Sequence, residues 1–294
     1  MNKIQSNLLI LKRKAPSFFF IFVKYFFLFF VLLFLALPFY WMLNVAFQKD
    51  SLHIHWYPKN FTIEHFKNVL VGNDKIGFLP SFLVTILVVF LSTILGIIVS
   101  VITAFALSIL QFKNKRIVFS LFLITTMITT ESMFLINYQT VARLGLVDPG
   151  NGSIVPGGVY FAMVLPFLIN FVHIFLLMQN IKKIPKELYL SVKIDGSSNF
   201  NFLFKILIPL LKDNLINIVI FRAVAAWNAY LWPQLVGGKL LTVIVRNFFD
   251  SDTKPNLINQ QMAATTLITV PLVLLFIFCK KYVLEGNLNS GIKG

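Results

Sequence analysis

The sequence predicts an all-α integral membrane protein with six transmembrane helices. Hydrophobic residues make up 57% of the 294 residues and charged residues only 13%, whereas soluble domains carry about 25% charged residues. The mean hydropathy is +0.81. The apolar residues are gathered into long uncharged runs, which is the pattern of helices that cross a bilayer.

The first run follows a basic leader, residues 1–17. No charged residue occurs between Tyr25 and Gln48, and a bilayer requires about 20 apolar residues. A cleaved signal peptide has a shorter apolar core of roughly 7–15 residues and ends in small residues, whereas this run ends in an aromatic belt around Trp41. We therefore expect the first span to be retained.

Five further runs complete the predicted membrane domain, residues 18–279. Lys113, Lys115 and Arg116 form a basic turn between the second and third runs, and a segment rich in Pro and Gly separates the third from the fourth. The predicted spans are about 22–43, 81–110, 117–136, 159–178, 213–235 and 262–279, followed by a tail at 280–294.

The distribution of Lys and Arg predicts the orientation. With both termini in the cytoplasm, the inner segments hold 16 of these residues and the outer segments 8, as the positive-inside rule requires. Residues 180–211 then lie in the cytoplasm, and the protein is multi-pass in the cell membrane, in contact with lipid. The net charge of +15 does not indicate nucleic-acid binding, because the cations occur in short groups between apolar runs.

Residues 180–211 predict two short amphipathic helices joined at a glycine. Pro185 suits the first turn of a helix with Ile184, Leu188 and Val192 on one face. Gly196, which follows Asp195, can adopt the left-handed conformation that ends helices.

Ser197 or Ser198 can then cap the second helix, whose apolar side would carry Phe200, Leu203, Phe204 and Leu207. A bent, basic loop of this kind suits docking to another protein.

Three parts of this loop resemble the coupling loop of permeases in binding-protein-dependent ABC importers. They are Ile-Pro-Lys-Glu-Leu at 184–188, Ile-Asp-Gly-Ser at 194–197, and Ile206 with Pro209. Elsewhere, Leu-Pro-Phe-Tyr-Trp-Met-Leu at 37–43, Ala-Trp-Asn at 226–228 and the segment 286–294 resemble the carbohydrate branch of that family. The likeness is to the second permease of maltose-type and glycerol-3-phosphate-type importers.

The resemblance implies the type I ABC importer permease fold with a cytoplasmic coupling helix. It implies ATP-driven import of a sugar or related solute, such as an oligosaccharide, a polyol or glycerol phosphate. The implied partners are a homologous second permease, two ATPase subunits that bind Mg-ATP, and an extracytoplasmic solute-binding protein. The residues expected at the ATPase contact are Pro185, Glu187, Leu188, Val192, Asp195, Gly196, Ser197, Ile206 and Pro209.

The loop departs from the family pattern at four positions, one of which is Leu203, where a phenylalanine is usual. Leu190, Ser191 and Val192 stand where Glu-Ala-Ala is usual. We therefore expect a more hydrophobic docking surface, with Lys186 and Lys193 facing acidic residues of the ATPase.

The chain contains no motif for a reaction of its own. It lacks the phosphate loop of nucleotide-binding proteins and the hydrolase and zinc-protease motifs. His53 and His55 have no further ligand nearby to complete a metal site, and Cys279 is the single cysteine. We expect a transport subunit, not an enzyme, without a cofactor or metal of its own.

Glu131 and Arg222 are charged residues well inside predicted spans, where each charge costs about 2.5–3.5 kcal/mol. They can pair with each other or contact the sister permease, or one of them can line the translocation path. Trp227 and Asn228 can contact a sugar or serve helix packing. These four residues form the candidate path.

Three alternative classes of protein are considered for this sequence: an ion-coupled secondary transporter, a structural or assembly protein and, as the weakest, a membrane enzyme. A secondary transporter would more often show internal repeats and intramembrane carboxylates, and Glu131 is the one clear acid within the predicted spans. A structural protein would have no need of the basic elbow loop.

Overall fold

The computed structural model describes residues 18–50, 53–71, 77–249 and 257–288. These residues form α-helices and short connections. Within the described ranges, pairing of extended backbone is limited to one isolated antiparallel bridge between Gln48 and Phe61. The all-α expectation is confirmed. The predicted leader at 1–17 and the last part of the predicted tail lie outside the described residues.

In chain order, the helices of the described residues are α1 Phe18–Phe47, α2 Glu64–Val71, α3 Phe78–Ser108, α4 Lys115–Thr125, α5 Phe134–Arg143, α6 Gly158–Val164, α7 Phe171–Ile181, α8 Lys186–Ile194, α9 Asn199–Phe202, α10 Lys212–Trp227, α11 Leu231–Leu235, α12 Leu241–Phe249 and α13 Ile258–Leu288. Short 3-10 turns occur at Glu131–Met133 and Leu165–Phe167. A π turn at Leu203–Leu207 leads into one helical turn at Ile208–Leu210.

Within the described ranges, three stretches of helix are long and apolar enough to cross a bilayer: Phe19–Phe47, Phe78–Ser108 and Ile258–Lys281. A bent pair, Gly158–Phe167 with Phe171–Ile181, is a candidate fourth span with an angle of 53°. The side chains of residues 19–40 in α1 are all exposed, so this apolar surface is available to lipid.

The third and fifth predicted spans differ from the structure, because neither is a continuous helix. α4 ends after 11 residues, where the hydroxyls of Thr125 and Thr126 donate to carbonyls in the preceding turn. α10 ends after 16 residues, and residues 228–230 separate it from α11. An apolar run does not reveal such breaks, since composition is the same on both sides of them. The six-span count stays a prediction.

One compact unit comprises residues 18–50, 53–68 and 257–266 of the described chain. A buried network of side-chain amides holds the loop that follows α1. The side chains of Asn44 and Gln48 both donate to the backbone carbonyl of His55 at 2.7 Å. Asn259, at the start of α13, donates to the carbonyl of Gln48. Among the described residues, no cluster of metal-binding side chains accompanies His53 and His55.

The second unit comprises residues 69–71, 77–249 and 267–288. Its central helix is α3, which packs against α10, α7, α12 and α6. One apolar cluster surrounds Ala104 and Phe105 in the second half of α3. Another includes Val88 in its first half, together with Trp232 and Leu240.

A tight turn at Gly237 secures the second cluster. Gly237 has φ +79, and a Cβ there would collide with the carbonyl of Asp148. The N–H of Asp148 donates to the carbonyl of Val236 at 3.0 Å. This bond and the close approach at Gly237 hold the segment around Asp148 against the turn at 236–237.

We expect Gly237→Ala to destabilise the protein by about 2 kcal/mol or more, because it combines a left-handed conformation with overpacking. The measurement is the midpoint of thermal unfolding in detergent. Gly77→Ala is the matched control, since Gly77 has φ +62 and open surroundings. Equal losses in the two variants would show that the contact with Asp148 is unimportant.

Candidate functional site

The first half of the predicted coupling loop is a short helix that ends at a glycine. α8 follows Pro185 directly and ends at Ile194, with Asp195 as its C-cap. Gly196 has φ +71. Its N–H donates to the carbonyl of Lys193, and the N–H of Ser197 donates to that of Val192, both at 3.1 Å. These two bonds define a Schellman motif, which fixes the direction in which the chain leaves α8.

The second half begins with a serine cap. Ser198, the second of the two candidate serines, accepts from the N–H of Asn201 at 3.2 Å. The π turn that follows α9 lies just before Pro209. Proline has no N–H to donate to the carbonyl of Lys205, which accounts for the irregular turn.

The expected apolar side of the second helix is wrong in part. Leu203 and Leu207 are buried as expected, and Phe202 joins them. Phe200 and Phe204 instead lie on the surface, with Phe200 70% exposed.

The buried half anchors the loop to the helices of the second unit. Leu203, Leu207 and Leu211 share a cluster with Phe105 of α3 and Leu177 of α7. Movement of this half therefore requires movement of α3 and α7, because closely packed interiors transmit displacement.

The other half is largely exposed. Of the residues expected at the ATPase contact, Pro185, Glu187, Leu188, Asp195, Gly196 and Pro209 are exposed, and Val192, Ser197 and Ile206 are partly buried. Leu190 and Ile194 add apolar area, and Ile194 is 86% exposed. We call the exposed residues 185–196 the elbow surface.

Tyr189 is a residue of this site that sequence reasoning missed. Its hydroxyl donates to Oδ1 of Asn199 at 2.9 Å. Its ring packs edge-to-face on Phe202 at 5.1 Å. Tyr189 thus ties α8 to α9 across Gly196. In a chain with 33 phenylalanines, one further aromatic residue carries little information, and a contact across a turn has no periodic signal.

A basic cluster lies beside the elbow surface. Lys115 donates to the carbonyls of Ser108 at 3.3 Å and Leu110 at 2.9 Å, at the end of α3. Burial lowers the pKa of Lys115, and the charges of Lys182 and Lys186 lower it further. The predicted first inner loop and the predicted coupling loop therefore lie on the same face of the second unit.

A cavity of about 620 Å³ lies in the same unit, bordered by α3, the bent pair and α10 to α12. Its lining includes two of the four candidate path residues, Arg222 and Asn228. Trp227 lines a separate, smaller pocket, and its indole N–H donates to the carbonyl of Ile268 at 3.2 Å. Glu131 is exposed in a 3-10 turn.

Arg222 is 5% exposed and donates to backbone carbonyls. Nη1 donates to the carbonyl of Ser92 at 3.3 Å and to that of Phe167 at 3.5 Å, and Nη2 donates to the carbonyl of Leu168 at 2.7 Å. The structure does not pair it with Glu131, so this alternative is not realised within the described chain. A Cβ at Gly96 would collide with the guanidinium, so glycine provides the space.

The carbonyls of Phe167 and Leu168 need hydrogen-bond donors because the helix of the bent pair is broken at Asn170. Asn170 is extended, and its side chain accepts from the N–H of His173 at 3.3 Å to start α7. Phe167 and Leu168 therefore lose the N–H partners that a continuous helix would supply. An unsatisfied carbonyl in the hydrocarbon region costs several kcal/mol, and Arg222 removes that cost.

No family model matches the chain, but curated proteins do. It is 30% identical over 192 residues to the arabinooligosaccharides transport system permease protein AraQ of Halalkalibacterium halodurans, and the match covers 65% of each chain. It is 26% identical over 275 residues to a probable ABC transporter permease of Mycoplasma genitalium, covering 87% of this chain and 84% of that protein. With the sn-glycerol-3-phosphate transport system permease protein UgpE of Yersinia pestis it shares 27% identity over 232 residues, covering 78% and 79%.

A solved structure has the same fold. It is the crystal structure of a bacterial ABC transporter involved in the import of the acidic polysaccharide alginate. The match has a TM-score of 0.79 and 18% identity, and it covers 91% of this chain and 98% of that chain.

We expect Arg222→Leu to lower the free energy of unfolding by about 3 kcal/mol or more, because hydrogen bonds to charged groups contribute about 1.5–3 kcal/mol each. The measurement is thermal or denaturant unfolding in detergent. Arg143→Leu, at an exposed position, is the control and should change stability by only about 0.5 kcal/mol. An Arg222→Leu protein as stable as the wild type would contradict the structural role.

Proposed function

We propose that the chain is an ABC transporter permease, a subunit of an ATP-driven importer for a sugar or related solute, because its sequence and its fold are similar to those of such permeases over most of its length. A permease of this family is a transport component and not an enzyme. Residues 185–209 would couple it to the ATPase subunits.

The observation that carries this proposal is the division of the coupling loop into an exposed and a buried half. Among the described residues, nothing covers the exposed side chains of the elbow surface, so a partner could dock there. The π turn on the other side of Gly196 packs between α3 and α7. A push on α8 would therefore be transmitted through Gly196 to helices that border the cavity.

The partners would be a homologous second permease, two ATPase subunits that bind Mg-ATP, and an extracytoplasmic solute-binding protein. Both termini would be cytoplasmic. Leu188, Leu190 and Ile194 give α8 an apolar contact, and Lys186 and Lys193 would face acidic residues of the ATPase. The basic cluster around Lys115 extends this positive face.

The cavity would form part of the solute path. A volume of about 620 Å³ falls within the range of about 300–1,000 Å³ for small-molecule sites. Arg222 and Asn228 line it, whereas Trp227 and Glu131 do not face it and would serve packing or contacts with other subunits.

We expect Gly196→Val to abolish capture of the ATPase and ATP-dependent uptake, while the protein stays in the membrane. Valine is strongly disfavoured in the left-handed conformation, so α8 would lose its direction although no atom lies within 4 Å of the new Cβ. The measurement is co-purification of a P-loop ATPase with the tagged chain, compared with solute uptake by the same cells.

Gly77→Val is the matched control, because Gly77 is also left-handed and open but distant in sequence from the loop. It should retain the ATPase. The double variant Gly196→Val, Asp195→Lys should likewise fail to capture the ATPase. Normal capture and uptake by Gly196→Val would rule out the coupling role of the elbow.

A further inference from the structure

We propose that the cavity selects anionic solutes, such as a sugar acid or a sugar phosphate. This inference rests on the proposed role of the cavity as the solute path. It goes further by naming the charge of the solute and a residue that determines specificity, Arg246.

The charges that line the cavity are all positive. Arg222 and Arg246 contribute two cations, and none of the described lining residues is an aspartate or a glutamate. Polar side chains without charge, including Asn228 and Ser92, complete the polar part of the wall. A neutral sugar would require hydrogen-bonding groups but no excess of one charge.

The charge of Arg222 is not compensated. Its three partners are carbonyls, which accept hydrogen bonds but carry no negative charge. Its Nε has no partner and is buried. A cation in surroundings of low dielectric constant attracts an anion far more strongly than the same cation in water, so the cavity favours a solute that brings the missing negative charge.

Arg246 places a second cation at the exposed side of the cavity. Its Cζ lies 4.4 Å from the centre of the Tyr230 ring, so the guanidinium stacks on an aromatic face. Within the described chain, Arg246 makes no ion pair or hydrogen bond. A guanidinium held by stacking keeps its N–H donors for carboxylate or phosphate oxygens, which it binds in a bidentate manner.

The two arginines therefore have separate roles. Arg222 supports the bent helix pair and supplies a permanent field, whereas Arg246 is free to contact the solute directly. Substitution of Arg246 changes solute preference without removing the bonds that support α6 and α7. The amides of Asn170 and Asn228 line the same cavity and can bind the hydroxyls of a sugar.

The test measures binding to the purified full chain in lipid nanodiscs, at constant ionic strength. The probes are two pairs that differ in charge: glucose with glucuronate, and glycerol with sn-glycerol 3-phosphate. Ligand that binds the native state raises the midpoint of thermal unfolding. We expect the anionic member of at least one pair to raise it and the neutral member to have no effect.

Arg246→Gln should weaken the affinity for the anion by about tenfold or more, as expected for loss of a hydrogen bond to a charged group. The anion should then raise the midpoint of thermal unfolding by less than it does in the wild type. Arg143→Gln, outside the cavity, should leave the response unchanged. A preference for the neutral member, an Arg246→Gln response equal to wild type, or no response to any probe would overturn the proposal. The solute-binding measurement needs no ATPase, and co-purification of the ATPase needs no solute. Failure of the anion-selectivity proposal can therefore be distinguished from failure of the proposed importer function.

Discussion

The second unit depends on the hydrogen bonds that Arg222 makes with three backbone carbonyls. A helix pair bent by 53° presents unpaired carbonyls, and in a membrane these can be satisfied only by other protein groups. The guanidinium satisfies Phe167 and Leu168 and also reaches Ser92 of α3. One side chain of α10 thereby joins three segments and explains why a costly cation is tolerated at this depth.

Much of the fold could be predicted because its causes are local in sequence. Length and apolar composition suffice for α1, α3 and α13, and the elbow follows from Pro185, Gly196 and the serine cap. The breaks could not be predicted in this way. The end of α4 depends on threonine hydroxyls, and the break at Asn170 is stabilised by an arginine distant in sequence. The sequence also offered Glu131 as a partner for Arg222, since it reveals charges but not the distances between them.

The candidate sites illustrate the same limit. The Gly196 conformation is a property of one residue and its neighbours, so it was predictable. The contact of Tyr189 with Asn199 and Phe202 arises only after the chain has turned. Within α9, Phe202 enters the core while Phe200, two positions earlier, faces the opposite side and remains outside. Cavity-lining residues such as Arg246 come from separate helices and share no motif.

The close approach of Arg222 to Gly96 has a consequence for how this sequence can vary. The guanidinium occupies the volume in which any side chain at position 96 would lie. A larger residue at 96 is therefore compatible only with a smaller residue at 222, which in turn requires a different donor for the carbonyls of the bent pair or a straight helix in its place. The two positions, far apart in the chain, form one unit of evolutionary change and should co-vary among relatives that share the bend.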